Sequence, residues 1–328
     1  MPGFATTVRR AAAILAVSAG ILVTIPLQAS VPGSIADPPA GKAETAPIRR
    51  LATIGASATA GFNVYFWRVD GDGHVRDSTN LAKLLRASSG DELVVTDLGT
   101  GQFFANPAGI GSMAIERALR SNPDIVVGLD FLFWFCFGTV GPEATRMRTM
   151  EERLAMLEVG FELLERIEDA GIPLVVGDIP DMSAAGGGIM LKSQVPSPET
   201  IERANERIHE WASTRPGIRV FPLAGLQTLL ESNDPIVVDG MALGDAERRR
   251  LLQGDRLHPT VGGLIVMVDR LVDLMQDDDA LGGRLPSMTT RYDELMRRVS
   301  GFPSLEAQED HVRRRRAEPA GTGEAVER

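Results

Sequence analysis

Short, continuously apolar runs alternate along this chain with longer segments of helical spacing, and that alternation restricts the fold more than any other feature. Residues 51–55, 92–98, 124–129, 174–177 and 218–221 read as buried strands, and segments 79–88, 107–120, 142–169, 198–214 and 260–276 carry helical spacing. A strand that is apolar on both faces must be covered on both, and strand–helix–strand repetition makes neighbouring strands parallel. The expected fold is therefore α/β: a three-layer α/β/α sandwich around a five-stranded parallel sheet, flavodoxin-like in type. In such folds reactive groups collect at the carboxyl edge of the sheet. Ser57, the turn at Gly99 to Gly101, Asp130 and Asp178 each follow an expected strand, and Asp255 and His258 precede the last of these helices.

The rest of the composition sets boundaries. With 328 residues and 44% hydrophobic content the chain buries one large core. A net charge of -10 argues against a nucleic-acid partner, since the dense basic cluster Arg313 to Arg316 lies in a polar stretch near the end. Residues 1–30 read as an export signal or retained N-terminal anchor: Arg9 and Arg10, an apolar run, then small residues at Ala29 and Ser30. Any membrane contact would come through that segment. Residues 31–48 read as a Pro- and Ala-rich linker, 49–300 as the folded domain and 301–328 as a polar, disordered tail. The one cysteine, Cys136, excludes an internal disulfide and reads as a small core hydrophobe. Loops 69–75, 183–194 and 232–252 have no form that periodicity assigns.

Chemistry concentrates at Asp255-Arg256-Leu257-His258-Pro259. A hydroxyl becomes a useful nucleophile when an imidazole takes its proton, and the imidazole works best when a carboxylate fixes its tautomer. Of four histidines, His258 alone combines a nearby preceding carboxylate with a following proline and a helix start. His209 falls on a charged helix face, His311 in the tail, and His74 in a turn that lacks the further ligands of a calcium site. Ser57, in Gly55-Ala56-Ser57 at the end of the first strand, fits two readings, a helix N-cap or a nucleophile. Asp178 and Asp181 read as turn residues that could also line a pocket.

The ordered set of Gly-x-Ser after the first strand, a glycine turn after the second, Gly128-Leu129-Asp130 after the third and Asp-x-x-His-Pro near the end resembles the SGNH or GDSL hydrolase family over residues 49–276. By that resemblance Ser57 is the nucleophile, His258 the general base and Asp255 its orienting carboxylate. The oxyanion-binding backbone N–H falls on Gly101, with Gly99 as the alternative. No metal or other cofactor is implied. The implied activity is that of an exported serine esterase acting on a small-molecule, carbohydrate or lipid ester. An acyltransferase on an envelope sugar or lipid, and a ligand-binding pseudoenzyme, are the alternatives. Two positions depart from the pattern: Ala56 replaces an aspartate, and Asp130 stands where an asparagine would donate to the oxyanion. Asp130 could still donate if its neighbours Phe131, Phe133, Trp134 and Phe135 kept it protonated. The aromatic run 131–137 reads mainly as core, with Trp134 and Phe135 as candidates for an apolar pocket wall.

Overall fold

The computed structural model describes residues 46–70, 73–138, 149–186, 190–232 and 234–317. In chain order the elements are β1 (Arg50–Gly55), the hairpin strands β2 (Tyr65–Asp70) and β3 (Gly73–Ser78), α1 (Leu81–Ser88), β4 (Val94–Gly99), α2 (Pro107–Arg120), β5 (Ile125–Gly128), α3 (Phe133–Phe137), α4 (Met150–Asp169) and β6 (Leu174–Gly177). There follow α5 (Pro198–Ser213), β7 (Ile218–Phe221), α6 (Leu223–Glu231), the short strands β8 (Val237–Val238) and β9 (Met241–Ala242), α7 (Asp245–Arg248), α8 (Val261–Gln276), α9 (Tyr292–Ser300) and α10 (Leu305–Ala317).

Five strands form one parallel sheet in the order β4-β1-β5-β6-β7. The chain enters at β1, steps outward to β4, then crosses back to β5 and continues the other way. The order therefore reverses between β1 and β5, and the loops after those two strands, carrying Ser57 and Asp130, flank the point where such sheets form a crevice.

Alternation along each strand separates two cores. Leu51, Ile125, Val127 and Val175 face a layer that includes α1, α6, α8 and α9. Ala52, Ile54, Val126, Leu174 and Val176 face α2, α3, α4 and α5. The helices start where the sequence supplies an acceptor: Asn80 caps α1, Ser197 caps α5, Thr260 caps α8, and Thr149 forms a capping box with Glu152 at α4.

All five expected strands form, within two residues of the expected bounds. The start of the helix expected over 142–169 falls outside the described residues, as do segments 1–30 and 318–328 and most of 31–48. Within that last stretch Ile48 is no linker residue: it is 1% exposed and donates its N–H to Arg284 O at 2.7 Å. Of the expected excursion over 69–75, residues 69–70 and 73–75 belong to the β2–β3 hairpin, and residues 71–72 lie outside the described residues. The expected tail after Gly301 contains α10. Its sequence has no apolar stripe, and polar anchors hold it: Gln308 donates to Trp67 O at 2.9 Å and Glu309 pairs with Arg250 at 2.7 Å. The aromatic run folds into α3, with Phe133, Trp134, Phe135, Cys136 and Phe137 all buried. Periodicity could not reveal this helix because every position in it is apolar.

Burial pushes the Cys136 thiol up to about 12, only partly offset by the Arg153 guanidinium nearby. Iodoacetamide at pH 8 should leave Cys136 unmodified in the folded protein and alkylate it once urea unfolds the chain. Mass spectrometry of the two reactions checks this.

Candidate active site

The turn after β1 is built around one side chain from the neighbouring strand. Asp130, 5% exposed and two residues past β5, reaches across to residues 56–59. Its Oδ1 accepts the Ala56 N–H at 2.8 Å and the Thr59 hydroxyl at 2.5 Å, while its Oδ2 accepts the N–H groups of Ala58 at 2.8 Å and Thr59 at 3.2 Å. A Cβ on Gly55 would lie 2.2 Å from Asp130 Oδ1, and Gly55 has φ +150°, so this position requires glycine. Of the N–H groups from Ala56 to Thr59, Ser57's alone makes no hydrogen bond among the described residues.

Here the expectation for Asp130 needs correction. Both of its oxygens are engaged as acceptors, which leaves neither to donate to an oxyanion. Its place in the structure is that of the acceptor that shapes the turn. Ser57 is not a helix cap either, since residues 57–63 form successive turns and no α-helix starts there.

The segment before α8 is equally local in its construction. Asp255 Oδ1 accepts the N–H groups of Leu257 and His258, both at 3.0 Å, and its Oδ2 lies 2.8 Å from His258 Nδ1. Arg256 takes the left-handed conformation, φ 55°, that closes this turn. With Nδ1–H donating to Asp255, Nε2 is the free acceptor of the ring. Burial alone would raise the Asp255 carboxyl, but the hydrogen bonds from the His258 ring and from the backbone of His258 and Leu257 outweigh it and hold the group below the usual carboxylate range. The ring itself is 3% exposed and lies against Phe62, with centroids 4.8 Å apart.

Ser57 and His258 line one narrow pocket of about 40 Å³. No hydrogen bond joins the hydroxyl to the imidazole among the described residues, and such bonds commonly tighten only when substrate is bound. The wall is apolar, with Phe133, Leu226, Leu230 and Met267 among the lining residues. Phe133 therefore occupies the place expected for Trp134 and Phe135, which do not reach the pocket. Gly99 and Gly101 do not line it either. Gly101 lies behind Phe62, whose Cδ2 would be 3.5 Å from a Cβ at that glycine, and its N–H has no hydrogen-bond partner among the described residues.

Asp178 caps α6 by accepting the Ala224 N–H at 2.6 Å, a contact between distant elements instead of a turn role, whereas Asp181 accepts from Ser183 N in a local turn as expected. Burial raises the Asp178 carboxyl despite those N–H groups and His209, which lies 3.9 Å away. Two residues of the site escaped the sequence. Phe62 looked like one apolar residue in a loop, and Gln253 had no signal at all. Among the described residues no cluster of His, Cys, Asp and Glu has the arrangement of a metal site.

Strand order, the serine after β1 and the Asp-x-x-His segment before α8 fall as the sequence resemblance implies. The fold is the α/β sandwich expected from the sequence, a five-stranded parallel sheet covered by helices on both faces. No family model and no curated protein matches the chain. Among solved structures, a GDSL-like lipase from Bacteroides thetaiotaomicron is similar at 14% identity, with 69% of this chain and 86% of that one covered and a TM-score of 0.42. The psychrotrophic esterase EstA from Pseudoalteromonas matches at 12% identity over 70% and 97%, TM-score 0.42. A catalytic mutant of an acetylxylan esterase from Geobacillus stearothermophilus matches at 13% identity over 70% and 95%, TM-score 0.43. Likeness this distant carries no argument about activity.

Two variants probe the geometry. In Asp130→Asn, whichever way the amide is turned, its NH₂ faces at least one backbone N–H. The variant should lose about 1–3 kcal/mol of stability in urea titrations, and any activity of the parent on a p-nitrophenyl ester should fall by a similar factor at every pH. An asparagine that kept its activity at alkaline pH would restore the donor reading. Asp255 has a depressed folded-state value, so its stabilisation is present above the unfolded value of about 3.9 and is lost as pH falls through the lower folded value. Asp255→Asn should therefore melt below the parent at pH 6, and the gap should close below about pH 4.

Proposed function

We propose that this chain is an exported serine esterase that cleaves carboxylic esters through an acyl-enzyme. The observation that carries the reading is the meeting of Ser57 and a carboxylate-held His258 in one apolar pocket, beside a Ser57 N–H that the turn leaves unclaimed. Ser57 Oγ attacks the ester carbonyl as His258 Nε2 takes its proton, and Asp255 holds the ring and stabilises the imidazolium. The carbonyl oxygen becomes an oxyanion, received by the N–H group of Ser57; Gly101, set behind Phe62, is the second main-chain donor that the sequence resemblance implies. Collapse expels the alkoxide, which takes the proton from His258 and leaves as alcohol. Water then repeats the sequence on the acyl-enzyme and releases the acid. No step needs a metal.

With Asp130 turned to the backbone, the oxyanion relies on main-chain donors. Losing one donor of such a set typically costs about 3 kcal/mol of barrier, so a slower but working enzyme is the expectation. The apolar wall suits the acyl part of the ester. Export rests on segment 1–30; among the described residues no helix is long and apolar enough to cross a membrane.

A fluorophosphonate probe should form an adduct that maps to the peptide bearing Ser57. Ser57→Ala should abolish both the adduct and p-nitrophenyl ester hydrolysis. A chain that takes up no probe and turns over no ester, while still binding ester analogues, would be a binding protein instead.

A further inference from the structure

The hydroxyl and the imidazole sit on loops almost 200 residues apart, 55–64 and 251–260, and no hydrogen bond joins the two groups directly. Their separation is thus set by whatever holds one loop against the other. Among the described residues a single hydrogen bond crosses between them: Gln253 Nε2 donates to Phe62 O at 2.8 Å. The same amide donates its other hydrogen to Pro259 O at 2.9 Å, and Gln253 N donates to His258 O at 2.8 Å. On the far side Phe62 N donates to Ser57 O at 2.9 Å, and the Phe62 ring lies on the His258 ring. A chain of contacts runs from Ser57 through Phe62 and Gln253 to His258.

We propose that Gln253 is a positioning residue that sets the reach between Ser57 Oγ and His258 Nε2. The inference rests on the reading of these two as nucleophile and base. Proton transfer between them needs heavy atoms about 2.6–3.2 Å apart, and a displacement of about 1 Å can lower a rate about 100-fold. Gln253 suits the task because an amide NH₂ has two hydrogens, and here each serves a different loop. The tie lies at a partly open surface, where water can take over the two carbonyls if the amide is removed. Its loss should therefore loosen the catalytic geometry more than it weakens the fold.

Gln253→Met keeps length and shape without donors, whereas Gln253→Lys keeps donors. In p-nitrophenyl ester hydrolysis, Gln253→Met should lower kcat about 10- to 100-fold with KM within about twofold, and Gln253→Lys should recover part of the loss. Fluorophosphonate labelling of Ser57 should slow by the same factor while Tm stays near the parent value. An unchanged kcat per labelled site, with only Tm reduced, assigns Gln253 to the fold and overturns the inference. If Gln253→Met does not fold, Gln253→Glu takes its place, and equal kcat for the Glu and Lys variants overturns it equally. An active parent separates these results from failure of the underlying reading; an inert parent refutes the roles of Ser57 and His258 and the inference with them.

Discussion

The geometry of the site depends on one carboxylate crossing from β5 to the turn after β1. Asp130 gathers three backbone N–H groups and a hydroxyl from residues 56–59. A hydrogen bond within a protein contributes about 0.5–1.5 kcal/mol net in general, and here four of them act on a turn with no helix or strand to shape it. The carboxylate reaches that close because Gly55 has no Cβ. The two loops flank the reversal in strand order, so this single side chain bridges the crevice that the sheet topology opens. Ser57 then projects from a turn whose conformation is dictated by β5 as much as by its own sequence.

That arrangement explains why parts of the site could be read from sequence and others could not. Asp255 and His258 were legible because their interaction is local: three residues apart, they close a turn through backbone and ring together. Ser57 was legible only through its place after a strand. The role of Asp130 was not, because its donors lie 71 to 74 residues earlier in the chain, and a residue type does not tell whether its oxygens will meet an N–H or a substrate. Phe62 and Gln253 were hidden for the same reason, their partners being set by the folding of distant loops.

The fold shows a parallel contrast. Strands buried on both faces announce themselves as apolar runs, and helices with one covered face announce themselves by spacing. α3 has neither signature because it is covered all round, and α10 has neither because it is held by Gln308 and Glu309. The β2–β3 hairpin alternates too weakly to stand out, with Phe66 buried on one face but Tyr65 and Val69 exposed on the other. In each case what decides the element is a contact with something far away in sequence, and that lies outside what periodicity measures.

The two halves of the site are also different in what they offer a reaction. His258 is held by Asp255, by the backbone around it and by Phe62, and its ring is almost wholly removed from water. The fixed carboxylate beside it sets the orientation of the ring. The oxyanion side has no comparable side chain, because Asp130 is committed to the turn. In that turn only the Ser57 N–H is left over, and it lies between N–H groups that Asp130 holds. A preorganised N–H needs no rearrangement as charge develops, so under the proposed mechanism the carboxylate would act on oxyanion binding by orientation, through the Ser57 N–H, without touching the oxyanion. Asp130 thus acts on the backbone of residues 56–59, the turn that carries Ser57.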